Sequence, residues 1–492
     1  MNVLFIYSLK DAFSPDKPLL TRADIPFGIS YISSFLKKEG HDTELAVLTK
    51  KTRFIAIDRI IKKTSPRLIC FTAVFSEYAF ITDAAKYIKK RYPGIFQLIG
   101  GPHVSLNPES CIAAPFDAIC VGEGEEATLE LVKQLEGNIA PSGISNLWIR
   151  KGGNFEKNIT RPFLKKIDIL PYPDTSLWDR WIEKPKEFFT VLLGRGCPFL
   201  CAYCCNHALR KIASGDYVRL RSADNIIQEI RDTILVNRDV KKIYLEVETF
   251  GLDIEWAKKL CAKLEELNRE LIEPLSFGTN LRITPGIDAE DLLSTMKKCG
   301  FDFINIGLES GNENIRRGVL KRNYSNEDIF RAVRSAKKYG IRVIFYILMG
   351  IPGETAEDFK DTIRVSRICQ PDHYMLSIFF PYPGTELYKS AEERGLIKRP
   401  LDIRNERARA ALDMPEFTKR QIISNYIWFE YNVYKGLKPL YKILDTVFTL
   451  KIKSIPVFFY ILNIVLGNKM MRSLKESWKK AVHRSFVFML TV

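Results

Sequence analysis

Four of the chain's ten cysteines fall within nine positions, in the stretch LLGRGCPFLCAYCCN (residues 192–206). Their spacing is Cys197-x3-Cys201-x2-Cys204, with Cys205 adjacent. Thiolates bind soft metals, exchange disulfides and hold iron–sulfur clusters, so the spacing must be weighed against each chemistry. Structural zinc needs a second ligand pair, and no Cys or His pair follows at a suitable distance; His207 stands alone. A dithiol built on Cys201 and Cys204 gives Cys197 no purpose. Ten cysteines in 492 residues are too sparse for a disulfide scaffold. A compact loop can instead fold three thiolates around one iron–sulfur cube and leave one iron open to an external chelate.

Such a loop needs a rigid support. A series of apolar runs begins with EFFTVLLGRGCP (187–198) and continues through KIYLEVETF (242–250), LSFGTNLRI (275–283), FINIGLES (303–310), VIFYILMG (343–350) and YMLSIFFPYP (374–383). Helical patterns such as AEDLLSTMKKCG (289–300) and SNEDIFRAVRSAKKYG (325–340) separate them. Six βα units predict a partial (β/α)6 TIM-like barrel over residues 187–400, with its site at the carboxyl ends of the strands.

Residues 1–135 carry an earlier series: VLFIYS (3–8), TELAVL (43–48), LICFTAVFS (68–76), FQLIGG (96–101) and DAICVG (117–122), with helical stretches such as GISYISSFLKKEG (28–40) between them. This α/β alternation predicts an N-terminal doubly wound, Rossmann-like parallel sheet whose ligand sits outside the strand carboxyl ends. GGPHVS (100–105) and GEGEEA (122–127) are loops of that kind. Residues 136–186, richer in Pro, Gly and Trp, read as a connecting segment, and 401–492 as a basic helical C-terminal region.

The pattern C-x3-C-x-aromatic-C, with Tyr203 as the aromatic, resembles the signature of the radical S-adenosylmethionine (SAM) superfamily. The resemblance implies a [4Fe-4S] cluster on Cys197, Cys201 and Cys204, with SAM chelating the open iron and Cys205 a bystander. FGTNLRITP (277–285), FINIGLESGNENIRR (303–317), FYILMGIPGETAEDF (345–359) and FFPYPGTELY (379–388) are similar to the family's third to sixth strand segments. They imply SAM-side roles for Tyr203, Glu248, Arg282, Glu309, Ser310, Gly350 and Pro352. At the second strand EVETF (246–250) departs from the family's Gly-Gly-Glu, so the role of Glu248 rests on a retained acid alone.

Residues 26–45, GGPHVS and FDAICVGEGEEATLEL (116–131) resemble the cobalamin-binding domain of the cobalamin-dependent radical SAM subclass. That implies cobalamin contacts at Gly100, Gly101, His103, Gly122, Glu123 and Gly124. The first strand lacks the Asp-x-His-x-x-Gly of many cobalamin proteins, so bound cobalamin would lack that lower ligand, and His103 takes a structural or corrinoid-contacting role.

In chemical terms the resemblance implies cleavage of SAM to a 5′-deoxyadenosyl radical and C-methylation of an unactivated carbon. Its rival is cobalamin-dependent cyclisation or rearrangement, as in the anaerobic porphyrin-ring cyclases. A non-catalytic corrinoid binder has no need of an open iron. A tRNA methylthiotransferase needs another cysteine set in front, and Cys70, Cys111 and Cys120 are too scattered. No residue is assigned a catalytic acid–base role, and electrons come from an external donor of flavodoxin or ferredoxin type.

The net charge of +16 is concentrated at the end: from Lys435 onward eleven Lys or Arg face only Asp445 and Glu476. Within this region IPVFFYILNIVLG (455–467) is too short to span a bilayer. It reads either as a surface for an anionic membrane or lipid-like substrate, or as a buried helix with basic faces. The expected partners are a small-molecule or lipid-like substrate and peripheral membrane contact through the C-terminal region; no nucleic acid is expected, since no recognisable module accompanies the charge. With no basic stretch before the first apolar run, no signal peptide is expected, and the location is cytoplasmic, peripheral to the inner membrane face.

Overall fold

A computed structural model describes residues 1–454 apart from 10, 11, 13, 15, 185–187, 287, 399, 404 and 405. The apolar run 455–467 lies outside the described residues. The chain divides into two compact units, Met1–Glu248 with Tyr382–Lys389, and Thr249–Pro381 with the chain from Ser390 onward.

The first unit opens with five parallel strands: β1 (Asn2–Leu9), β2 (Asp42–Thr49), β3 (Leu68–Thr72), β4 (Phe96–Gly100) and β5 (Ala118–Cys120). Their near-continuous apolar sequences suit a sheet covered on both faces. Along β1, Val3 and Phe5 enter one core while Leu4 and Ile6 enter the other, as the two-residue period of a strand requires. Helix Phe27–Lys38 covers the first face with Ile29 and Leu36, and helix Phe75–Arg91 the second with Ile81, Ala84, Ala85 and Ile88. Each large side chain so buried contributes about 1.5–3 kcal/mol of transfer free energy.

The stretch 136–186 is more than a connection. It supplies β6 (Leu147–Lys151) and β7 (Asn154–Lys157), an antiparallel hairpin that completes the sheet in the order β2-β1-β3-β4-β5-β6-β7. Trp178 then returns to the core: its ring meets Tyr7 edge-on at 5.5 Å and its indole Nε1 donates to Ser30 Oγ at 2.9 Å. A tryptophan in a Pro-rich stretch has no periodicity to announce its burial, yet burial with a satisfied N–H anchors the segment.

A second sheet has six parallel strands, in the order β15-β14-β13-β12-β11-β8. They are β8 (Phe189–Leu192), β11 (Lys242–Phe250), β12 (Ser276–Leu281), β13 (Phe301–Glu309), β14 (Arg342–Met349) and β15 (His373–Ile378). The short ribbon β9 (Gly194–Arg195) and β10 (Arg219–Leu220) follows β8 in the first unit. In the second unit, helices Asn326–Lys338 and Ala356–Cys369 both begin with capping boxes, on Ser325 and Thr355. There helix Lys419–Tyr434 packs Phe429 on Phe359 and Tyr374, and helix Leu440–Ser454 follows it.

Candidate functional site

The cysteine loop leaves the carboxyl end of β8 through the β9 ribbon. Gly196 has φ 85°, and a Cβ there would lie 2.0 Å from the Tyr217 carbonyl oxygen. This glycine therefore lets the chain at Tyr217 lie directly against the approach to Cys197. All ten cysteines are free thiols; Cys197 and Cys201 are buried and Cys204 partly so.

The adjacent thiols Cys204 and Cys205 differ. A hydrogen bond from Cys205, opposed by burial and helped by the Asn206 backbone and amide, holds the Cys204 thiol down to about 7. The same hydrogen bond, with burial, pushes Cys205 far up. The two thiols thus share one hydrogen bond, with Cys204 on its accepting side. Burial pushes Cys197 up to about 11. Among the described residues no three His, Cys, Asp or Glu side chains close around a single metal ion.

Three residues that the motif does not name shape this loop. His207 hydrogen-bonds through Nδ1 to the Cys204 carbonyl, and its Nε2 accepts the Glu386 N–H at 3.2 Å, so the proton resides on Nδ1. Asn206 Nδ2 donates to Cys204 Sγ at 3.6 Å, and the Tyr217 hydroxyl donates to Asn206 Oδ1 at 2.6 Å. The stretch Tyr382–Lys389 closes the other side, its Leu387 N–H donating to the Ala202 carbonyl at 2.9 Å.

Glu248 lies on β11 in the same unit, and its charge acts on Cys197, Cys204, Cys205 and Tyr217. Two positions earlier, on the same strand face, burial and then the charge of Glu248 push Glu246 up to about 7. Sequence comparison had no reason to single out Glu246. Its signal was the period of two within EVETF.

The front-domain loops are more closed than their glycines suggest. A Cβ on Gly101 (φ 105°) would lie 2.7 Å from Thr72 Oγ1, so this glycine serves internal packing. A Cβ on Gly124 would crowd Ile32 and one on Gly122 would meet Asn146, whereas one on Gly100 would make only ordinary contact with Cys120. His103 is buried between Phe75 and Tyr78, at ring distances of 5.4 and 4.8 Å, and burial lowers it to about 4. It is held neutral between two aromatic rings. His41 lies beside Met1 and Glu136, at the amino ends of the strands, so neither histidine of residues 1–135 stands ready as a lower cobalt ligand.

Glu123 is tied to the protein through three hydrogen-bond partners. Its carboxylate accepts from Arg195 Nη1 at 3.0 Å, Arg219 Nη1 at 2.9 Å and the Leu164 N–H at 3.0 Å. Arg195 also donates to Glu125 at 2.6 Å and stacks over Tyr31. Since Arg195 precedes Cys197 by two residues, this network binds the GEGEEA loop to the approach to the cysteines. Asn107 adds a second tie, donating to the Pro383 carbonyl at 3.2 Å.

In the second unit Glu309 has φ 56° at a register shift in β13, and Arg322 donates to it at 3.1 Å and to the Gly307 carbonyl at 3.2 Å. Ser310 is buried, its Oγ accepting from the Asn312 N–H. Gly350 (φ 74°) and buried Pro352 form the turn after β14, where fully buried Glu354 accepts from the Gly350 and Ile351 N–H groups. Arg282 lines a cavity of about 590 Å³ with Phe250, Thr284, Glu290 and Arg331. Tyr203 and Glu248 belong to the first unit, and these five predicted SAM-side residues to the second.

Family models match in two places: the radical SAM superfamily over residues 191–365, and the B12 binding domain over 25–132. An uncharacterized methyltransferase of Pyrococcus horikoshii is 28% identical over 377 residues, covering 76% of this chain and 79% of its own. The anaerobic magnesium-protoporphyrin IX monomethyl ester cyclase of Cereibacter sphaeroides is 23% identical over 381 residues, and the match spans 75% of this chain but only 60% of the cyclase. Among solved structures, the cobalamin-dependent SAM radical enzyme OxsB, with aqua-cobalamin and SAM bound, superposes with a TM-score of 0.67 at 16% identity, covering 98% of this chain and 75% of that one.

Proposed function

We propose, for a chain that belongs to the radical SAM superfamily and carries a B12 binding domain, that it C-methylates an unactivated carbon of a small-molecule or lipid-like substrate. The observation that supports this reading is the bonding, within one unit, of the GEGEEA loop to the approach to the cysteines through Arg195–Glu123, and of the front domain to the stretch Tyr382–Lys389 beside the cysteine loop through Asn107–Pro383. Cys197, Cys201 and Cys204 would hold a [4Fe-4S] cluster, and the loops at the carboxyl ends of β4 and β5 would face the corrinoid. When bound, the cluster with SAM supplies a carbon radical able to take hydrogen from an inert carbon, and cobalamin supplies a methyl group.

The chain's own residues do the holding and orienting. His207 fixes the Cys204 carbonyl, Glu123 fixes Arg195, and Glu354 fixes the turn after β14. Glu248 would be the acid that meets a cationic group of SAM. A flavodoxin- or ferredoxin-type protein would supply electrons. The similarity to the cyclase favours a second reading, ring formation without methyl transfer.

The test is anaerobic reconstitution with iron and sulfide, followed by incubation with cobalamin, a strong reductant, SAM labelled on its methyl group and a polar lipid extract. Methylation yields 5′-deoxyadenosine, S-adenosylhomocysteine and labelled lipid; cyclisation yields 5′-deoxyadenosine without S-adenosylhomocysteine. Absence of 5′-deoxyadenosine overturns both.

The lipid element of this reading rests on helix Leu440–Ser454. Ile443 and Val447 are buried, whereas Leu440, Tyr441 and Phe448 are 56%, 70% and 65% exposed, next to exposed Lys442 and Lys451. An outward apolar row flanked by lysines suits an anionic lipid surface, and among the described residues no helix is long and apolar enough to cross a membrane. The reading is of a cytoplasmic enzyme that works at the inner membrane face. Sedimentation with phosphatidylserine vesicles at low salt, reduced by Phe448→Glu, is the expected result; no sedimentation of the unaltered chain overturns it.

A further inference from the structure

Beyond the three ligands, a chain of hydrogen bonds reaches one cluster sulfur. Asn206 is buried, two positions after Cys204, and opens the short helix Asn206–Leu209. Its amide nitrogen donates to Cys204 Sγ at 3.6 Å, while its amide oxygen accepts the Tyr217 hydroxyl at 2.6 Å. Tyr217 itself is held in place: its ring packs on Phe163 at 5.1 Å, its backbone lies against Gly196, and β10 begins two residues later. Burial pushes its phenol up, so it remains a donor.

We propose that Tyr217 and Asn206 form a relay that sets the reduction potential of the cluster bound through Cys204. The proposal rests on the cluster assignment above. An electron added to an iron–sulfur cluster increases the negative charge on its sulfurs, and a donor aimed at one of them stabilises the reduced form more than the oxidised form. The Tyr217 hydroxyl acts one bond further out, since donation to the amide oxygen polarises the amide and strengthens its N–H as a donor. Both are positioning residues: neither touches the substrate in this scheme. The relay is separate from the thiol of Cys205, which reaches Cys204 from its own position.

The test uses the full chain, reconstituted anaerobically and titrated reductively under electron paramagnetic resonance, with iron content measured in parallel. Asn206→Ala should retain iron and shift the reduction equilibrium about tenfold toward the oxidised cluster, as expected for a lost charge-assisted hydrogen bond. For one electron, tenfold is about 59 mV. Tyr217→Phe, which removes only the hydroxyl, should move the potential in the same direction by up to about twofold, about 18 mV. Unchanged potentials with normal iron in Tyr217→Phe overturn the relay, even if Asn206→Ala does not fold. An unaltered chain that binds no cluster overturns the cluster assignment instead.

Discussion

Glu123 and Glu246 are two partly buried carboxylates of one unit, and they behave in opposite ways. Burial pushes Glu123 up, but Arg195 and Arg219 outweigh it and hold the group below the usual carboxylate range. Burial pushes Glu246 up as well, and there the nearby charge of Glu248 adds to the effect. The GEGEEA loop therefore spends its acids on ion pairs that fix structure. In the EVETF strand two acids share one strand face, and the charge of Glu248 raises, rather than neutralises, the cost of charging Glu246.

The contrast breaks most severely at the cysteines. Cys201→Ala should abolish the iron–sulfur absorption and lower SAM cleavage by about a thousandfold or more, while removing one small side chain from the core costs only about 1 kcal/mol. Full iron and full cleavage in that variant would remove the functional half of the comparison.

Glu123→Ala tests the structural half. It leaves Arg219, whose side chain is 5% exposed, with its charge uncompensated, so chemical denaturation should show a loss of about 3 kcal/mol. A loss under about 1 kcal/mol would mean that the network is solvated and holds little.

Glu246→Gln sharpens the contrast through pH. Because the folded value of about 7 lies above the ordinary 4.5, the neutral acid favours the fold. That contribution is full below about pH 4.5 and is lost as pH rises through about 7. The amide variant should match the unaltered chain at pH 5 and exceed its stability by about 2 kcal/mol at pH 8. A difference that does not change with pH would place Glu246 in solvent.

The smallest effect belongs to His207. Its replacement by Ala removes hydrogen bonds to the Cys204 carbonyl and the Glu386 N–H, for about 1 kcal/mol of stability with cluster binding retained at reduced affinity, measured by iron release to a chelator.

Much of this was legible without coordinates. The strand periods, the two alternating series and the triple-cysteine spacing are local properties of the chain, because they follow from backbone geometry and from the reach of one loop. Trp178, β6 and β7 were not legible, since an edge hairpin and a single buried indole carry no repeating pattern. Nor was the engagement of Glu123, whose partners lie 72 and 96 positions away. Its motif marked a loop, and a loop acid can face a ligand or an arginine with the same local sequence.

By itself the sequence determined which atoms are present at the site: three thiols in one loop, an acid on the second strand of the barrel series and glycines after the front-domain strands. Tertiary structure decided what those atoms are free to do. Ion pairs and hydrogen bonds depend on distances of about 3 Å between residues far apart in the chain, and spacing along the sequence does not encode such distances. They pair Glu123 with two arginines, leave Glu246 beside another acid, and aim Asn206 at the sulfur of Cys204.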